Sequence, residues 1–361
     1  MLTGRILTPE GWITGRITFG ERIAAIEPDP AGAKGPLILP GFVDLHVHGA
    51  GGADVMQGGS ACATVARAHA RHGTTSMLAT TMTAHPDPIR RALEGAAPFI
   101  AKRPAGAARV LGVHLEGPFI SPHKLGAQPP EVLPASLERV QAWHALAPVR
   151  VLTLAPEVPG HLDVIPQLAA LGIRVQIGHS AGTYEDGVAA LRAGAAGFTH
   201  LFNGMSGFAH RAPGIAGAAL AHAEYAEIIP DLEHVAPGAI LAALRAIPKL
   251  YGVTDATSAT GMPDGEYALG SQRVYKCLGC VRLAGGSLAG SALTMDAALR
   301  NFVAVGLDVA DASRRLSQYP ADYLGERARG RIAPGAWADL VVLDDHLQPR
   351  AVFVEGEPIP P

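Results

Sequence analysis

Histidines and carboxylates recur in this chain at spacings suited to gripping a metal ion. His46-x-His48 follows the apolar run Leu39-Pro40-Gly41-Phe42-Val43-Asp44-Leu45 and precedes Gly49-Ala50-Gly51-Gly52. Strand side chains alternate faces, so residues i and i+2 point the same way. Two imidazoles projecting together from a strand end suit zinc, iron, nickel or copper. Further histidines and acids follow other apolar runs: His114 and Glu116, His179, His200, Asp231 with His234, and Asp255. Neutral imidazoles and ionised carboxylates can hold a divalent ion whose open position takes water and lowers its pKa toward neutrality. Asp255 closes the last of these runs and is the candidate to accept a proton and pass it to a leaving group. The same position also suits a plain ligand or a helix cap. His69, His72, His85, His144, His161 and His222 fall in helices or loops and read as structural or solvated.

Positioning such a set requires many strand ends at one place. Strand-like runs occur at Phe42–Val47, Thr75–Thr80, Arg109–Leu115, Val149–Ala155, Arg174–Ile177, Gly197–Leu201, Glu227–Pro230 and Lys249–Thr254. Helical stretches separate them, among them Ser60–Arg71, Ile89–Ala101, Ser136–Ala145, Val164–Leu171, Gly187–Ala193 and Ala236–Ala246. Eight strands alternating with helices predict an α/β chain folded as a (β/α)8 TIM barrel, with a doubly wound sheet as the rival. In a barrel the reactive side chains come from the C-terminal strand ends, where these histidines and acids sit. The first ~40 and last ~30 residues read as short strands and turns. They are expected to pair into a small β-sandwich domain, 1–40 plus 331–361, beside a catalytic barrel at 41–330.

Composition narrows the function. The chain has 361 residues, 48% hydrophobic and 17% charged, enough for a large core and not the make-up of a disordered chain. A net charge of −3 gives no basic footprint, so neither nucleic acid nor an anionic membrane is expected as a partner. No apolar run is long enough to span a bilayer and the N-terminus lacks a signal-peptide core, so the expected location is the cytoplasm. Three cysteines do not make a disulfide framework, and Cys277-x-x-Cys280 has no second pair to complete a zinc knuckle.

The runs Pro40-Gly41-Phe42-Val43-Asp44-x-His46-x-His48 and Gly330-Arg331-Ile332-Ala333-Pro334-Gly335-Ala336-Trp337-Ala338-Asp339-Leu340 resemble the amidohydrolases, over nearly the whole chain. Gly112-Val113-His114-Leu115-Glu116-Gly117-Pro118-Phe119, Gly178-His179-Ser180, Thr199-His200-Leu201-Phe202-Asn203-Gly204-Met205, Arg211-Ala212-Pro213-Gly214 and Thr254-Asp255-Ala256 are similar to the N-acetylglucosamine-6-phosphate deacetylase family within that superfamily. The resemblance implies hydrolysis of the N-acetyl group of a phosphorylated amino sugar by a homodimer. It implies Glu116, His179 and His200 as ligands of the main metal, Zn²⁺ or Fe²⁺, and Asp255 as proton acceptor and donor. A carboxylated lysine, used on strand 4 by many relatives, has no counterpart in Val149–Glu157. Because His46 and His48 are both present, a second ion bridged by Glu116 and approached by Asp255 is implied. Asn203, Gly204 and His234 match sugar contacts, Leu288-Ala289-Gly290 a lining loop, and Arg211 the cation that meets the phosphate. A guanidinium suits that role because it binds phosphate bidentately.

The loop Lys124-Leu125-Gly126-Ala127-Gln128-Pro129 matches a substrate loop at Ala127 and Gln128, but the family often has histidine where Gln128 stands. Glutamine donates a hydrogen bond but cannot carry charge, which bears on substrate preference. Alternatives are deacetylation of another N-acetyl hexosamine phosphate such as the galactosamine isomer, hydrolysis of an N-acyl amino acid, or a non-catalytic barrel serving assembly.

Overall fold

Eight parallel strands in chain order form the barrel of this computed structural model, which describes residues 1–360. They are β1 (Phe42–Asp44), β2 (Thr74–Thr80), β3 (Arg109–Glu116), β4 (Val149–Leu154), β5 (Arg174–Ile177), β6 (Gly197–Phe198), β7 (Tyr225–Ile228) and β8 (Lys249–Gly252). β1 to β6 make one continuous ladder and β7 and β8 a second. Two hydrogen bonds close the ring: Leu201 N–H donates to Glu227 O at 2.8 Å, and Asp255 N–H to His46 O at 2.9 Å. β2 is buried along its whole length, as expected of a barrel strand with helices on its outer face and packed side chains inside.

Five of the eight strands end earlier than their apolar runs suggest, because the chain turns at the mouth. β6 stops at Phe198, and His200 two residues later takes a φ of 28°. Three helices begin earlier than expected: Pro86–Ala101, His161–Ala170 and Tyr184–Ala193. Tyr184–Ala193 starts from Thr183, whose hydroxyl accepts from Asp186 N–H while the Asp186 carboxylate accepts from Thr183 N–H. Pro86–Ala101 opens on a proline, and its buried stripe is Ile89, Ala92, Leu93 and Ala96, at helical spacing. Gly214–His222 shows no such stripe, since it is buried on nearly every side.

Polar side chains cross the barrel interior below the mouth. His114 meets Thr153 at 2.8 Å, Thr153 meets Thr199 at 2.7 Å, Thr199 donates to Gln176 at 2.8 Å, and Gln176 donates to Tyr251 at 2.9 Å. This chain of bonds links β3, β4, β6, β5 and β8. A buried polar group left without a partner costs about 1–3 kcal/mol, so the network fixes these side chains in place.

Both chain ends share one seven-stranded sheet. Leu37–Pro40 lies between Leu2–Thr8 and Leu340–Leu343, joining the N-terminal strands to the C-terminal ones. The sheet folds back on itself, so Phe19 meets Phe353 at 5.3 Å between ring centroids. The fold encloses Ile6, Ile17, Ile23, Ile38, Ile332 and Leu340, which gives a single sheet the layered core of a sandwich.

A three-stranded antiparallel sheet follows β8: β9 (Gly265–Leu269), β10 (Gln272–Cys277) and β11 (Cys280–Leu283). Leu278 and Gly279 form its two-residue turn at φ 51° and 85°, the left-handed pair that a tight hairpin requires. Cys277 and Cys280 are thereby register partners, both free thiols, flanking a turn.

Candidate metal centre and substrate cavity

Six side chains converge at the C-terminal end of the barrel. Glu116 is the last residue of β3, and His46 and His48 follow β1. His179 and His200 lie two residues past β5 and β6, and Asp255 three past β8. His179, His200 and Asp255 take positive φ values of 46°, 28° and 50°. For a residue with a Cβ this conformation costs on the order of 1–2 kcal/mol, and such strain concentrates at functional sites.

Glu116 joins two groups of nitrogen ligands. On one side its Oε1 lies 3.1 Å from His179 Nε2 and 3.0 Å from His200 Nε2. On the other its Oε2 lies 3.1 Å from His48 Nε2, which is 3.2 Å from Asp255 Oδ1. His46 Nε2 is 3.4 Å from both Glu116 Oε1 and Asp255 Oδ1. Within each group the two Nε2 atoms face each other at 3.1 Å. His179 Nδ1 donates to Lys124 O at 2.8 Å, so the neutral ring carries a bare lone pair at Nε2. His46 Nδ1 meets Glu227 Oε2 at 3.0 Å, with the same result. Lone pairs opposed at this distance beside carboxylate oxygens call for a cation between them. The donor set, imidazole with carboxylate and no thiolate, fits zinc or ferrous iron. His46, His114 and Glu227 also converge. Both His114 nitrogens are engaged, with Leu45 O and Thr153 Oγ1, so that trio offers no third ion position.

The electrostatics follow from burial set against opposite charge. Burial pushes the Glu116 carboxyl up, but His46 and the bonds from His179 and His200 outweigh it and hold it well below the carboxylate range. Burial likewise opposes the Asp255 charge, while His46 and His48 bring it down to about 2. Asp44 differs: burial dominates and lifts it to about 7, against hydrogen bonds from Thr254 and His46. Its carboxylate accepts from Thr254 Oγ1 at 2.6 Å and from His46 N–H at 3.3 Å, tying β1 to the segment that carries Asp255.

A cavity of about 130 Å³ opens onto these ligands. Of the residues expected from sequence to meet substrate, Ala127, Gln128, Asn203, Gly204, His234, Leu288 and Gly290 line it. Ala289 does not: it is fully buried, its N–H donating to Val281 O beneath the wall. Arg211 is exposed on the loop before Gly214–His222 and does not line the cavity of its own chain. Met82, Gly126 and Leu269 also line it. Gly126 adjoins Ala127 in the loop already matched, whereas no charge or motif marks Met82 and Leu269, and only the closing of the barrel brings them there. Gln128 is buried and clamped, its Oε1 accepting from Thr83 N–H at 2.7 Å and its Nε2 donating to Glu116 Oε2 at 2.6 Å. His234 Nδ1 meets Asp231 Oδ2 at 2.6 Å. Burial pulls that imidazole down, and the bond to Asp231 outweighs it and raises it.

The histidines read as structural are elsewhere. His69 is buried with Nε2 on Gly49 O at 3.2 Å, and burial lowers it to about 4. His161 sits between Ala155 O and Ala135 N–H.

The amidohydrolase family model matches residues 37–359. The N-acetylgalactosamine-6-phosphate deacetylase of Escherichia coli O157:H7 is 40% identical, over 98% of this chain and 97% of its own. The N-acetylglucosamine-6-phosphate deacetylase of Lysinibacillus sphaericus is 37% identical, over 91% of this chain and 87% of its own. A mutant N-acetyl-D-glucosamine-6-phosphate deacetylase from Mycobacterium smegmatis, solved in complex with N-acetyl-D-glucosamine-6-phosphate, superposes with a TM-score of 0.92 at 33% identity, covering 98% of this chain and 97% of that one.

Proposed function

The chain belongs to the amidohydrolase family, and from that premise we propose that it hydrolyses the N-acetyl group of N-acetylglucosamine 6-phosphate, giving glucosamine 6-phosphate and acetate. The observation that carries this reading is the convergence of Glu116, His179 and His200 beside Asp255 on the floor of one cavity. Relatives and a substrate-bound neighbour of the same named activity support it. Glu116, His179 and His200 would hold the main divalent ion, Zn²⁺ or Fe²⁺, and His46 and His48 a second against Glu116 and Asp255. The bound ion supplies Lewis-acid polarisation of the acetyl carbonyl and lowers the pKa of the attacking water.

The protein's own groups do the rest. Asp255 Oδ1 accepts the water proton and delivers it to the amide nitrogen as the C–N bond breaks, releasing a neutral amine. Ala127, Gln128, Asn203, Gly204, His234 and the Leu288-Ala289-Gly290 loop would position the sugar. Arg211, exposed and outside its own cavity, is assigned to the phosphate in a homodimer. The barrel, 41–330, is read as the catalytic domain and 1–40 with 331–361 as the small β domain. Phosphorylated sugars do not cross membranes unaided, so the activity is placed in the cytoplasm. None of the described helices is long and apolar enough to cross a membrane.

A second reading is the galactosamine isomer as substrate. It is favoured by the Escherichia coli relative, which matches over nearly its whole length. Parallel rates on both N-acetyl hexosamine 6-phosphates and on unphosphorylated N-acetylglucosamine test both readings. Turnover of the glucosamine phosphate well above the others supports the first. A reversed order between the isomers selects the second, and equal rates with and without phosphate would sink both.

A further inference from the structure

Glu227 lies in mid-strand on β7, fully buried among the barrel side chains, and does not line the cavity. Its Oε2 lies 3.0 Å from His46 Nδ1 and accepts the backbone N–H of His200 at 3.2 Å. The Tyr251 hydroxyl donates to its Oε1 at 3.4 Å. One carboxylate therefore holds a ring from β1 by its side chain and a turn from β6 by its backbone.

We propose that Glu227 is a positioning residue that keeps the proton of His46 on Nδ1, and so decides whether the His46–His48 position takes an ion. A neutral imidazole has one N–H and one lone pair, and the hydrogen bond at one nitrogen fixes the role of the other. A carboxylate can only accept, so Nδ1 must donate and Nε2 is left bare toward His48, Glu116 and Asp255. Partners of this kind, bound behind a ligating histidine, set ligand orientation and basicity. The main ion depends on Glu227 less, because His200 is held there through its backbone N–H and not through its ring. The inference rests on the two-ion reading above.

Glu227→Gln tests this at constant volume, because it removes the carboxylate charge behind His46 and leaves one acceptor oxygen for both His46 Nδ1 and His200 N–H. With the glutamine oxygen on both donors, His46 becomes a less basic ligand, and with the glutamine amide nitrogen on Nδ1 the ring proton moves to Nε2; either way the His46–His48 position weakens. The test titrates metal-free protein with Zn²⁺ against a chromophoric chelator and measures the metal-to-protein ratio. Wild type is expected to bind two ions per chain. Glu227→Gln is expected to bind one at wild-type affinity and the second about 10–100-fold more weakly. Glu227→Asp, which keeps the acceptor-only chemistry, should restore part of that loss, and the variants should melt cooperatively. A wild-type ratio of one overturns the inference together with the two-ion reading. Two ions bound to Glu227→Gln with unchanged affinities overturn the role of Glu227 alone. Equal weakening of both ions in a folded variant overturns its selectivity for the His46–His48 position.

Discussion

The two ends of β3 carry opposite solutions to the same problem of buried charge. At its N-terminal end, Arg109 makes a two-pronged pair with Glu355, at 2.8 and 2.7 Å. Arg329 bridges Glu355 and Asp339 at 2.5 Å each, and Arg103 pairs with Glu355 and Glu357. Every carboxylate there has a guanidinium, so the cluster is closed on itself and ties the barrel to the C-terminal strands. At the C-terminal end, Glu116 meets no guanidinium, only the neutral Gln128 amide and imidazoles whose lone pairs face one another. That cluster is incomplete until a cation joins it. A strand can thus end in a structural lock or in a reactive site, depending on whether the protein supplies the positive charge itself. In barrels the C-terminal face serves chemistry and the opposite face stability.

The comparison breaks most severely at Asp255. Asp255→Asn should lower kcat about 10²–10⁴-fold with metal content unchanged, read by steady-state kinetics alongside elemental analysis. Near-normal turnover with ion bound would remove Asp255 from proton transfer.

Stripping metal tests whether the mouth is incomplete alone. A ligand at 1,000 times its Kd stabilises the folded state by about 4 kcal/mol, so chelation should lower the melting temperature by several degrees and abolish hydrolysis, both reversed by Zn²⁺. An unchanged melting curve would mean the cluster is self-sufficient, like its counterpart at the other end of β3.

The closed cluster should fail by acid instead. Burial opposes the Glu355 charge, but Arg109 and Arg329 outweigh it and bring the carboxyl down to about 2. A depressed carboxylate stabilises fully above its unfolded pKa and loses that contribution as pH falls toward the folded value. Glu355→Gln should therefore cost about 2–4 kcal/mol at neutral pH. The gap to wild type should shrink as pH drops from about 4.5 toward 2. Denaturant melts across that range check it, and a gap that grows on acidification would contradict the assignment.

A smaller effect is expected at Gln128→Ala, which strands Thr83 N–H and frees Glu116 Oε2. The cost should be about 1–3 kcal/mol, with weaker metal binding. Unchanged chelator competition would leave Gln128 to the substrate alone. The smallest is Cys277→Ser, at an exposed hairpin position outside both clusters, expected within about 0.5 kcal/mol of wild type by thermal melting. A larger loss would give the cysteine pair a structural role.

Much of this was legible before folding. Apolar runs alternating with helical stretches located all eight barrel strands, because a barrel strand is buried on both faces. The five ligand-type residues stood out because histidine and acid at strand ends have few other reasons to be there. Glu227 was harder to read, since a lone acid within an apolar strand carries no motif. Met82 and Leu269 had no signal at all. The hairpin of β9 to β11 was missed because its strands are short, half-exposed and set in a loop.

The sequence by itself determined the period of the strands, the caps of the helices and the kinds of donor available at each strand end, since these depend on neighbours along the chain. Only the tertiary structure decided which donors meet. It placed Glu116 between two histidine pairs, turned Gln128 onto Glu116, set Glu227 behind His46 and kept Arg211 out of its own cavity. Those outcomes depend on where eight separate strands end in space, and no local pattern encodes that.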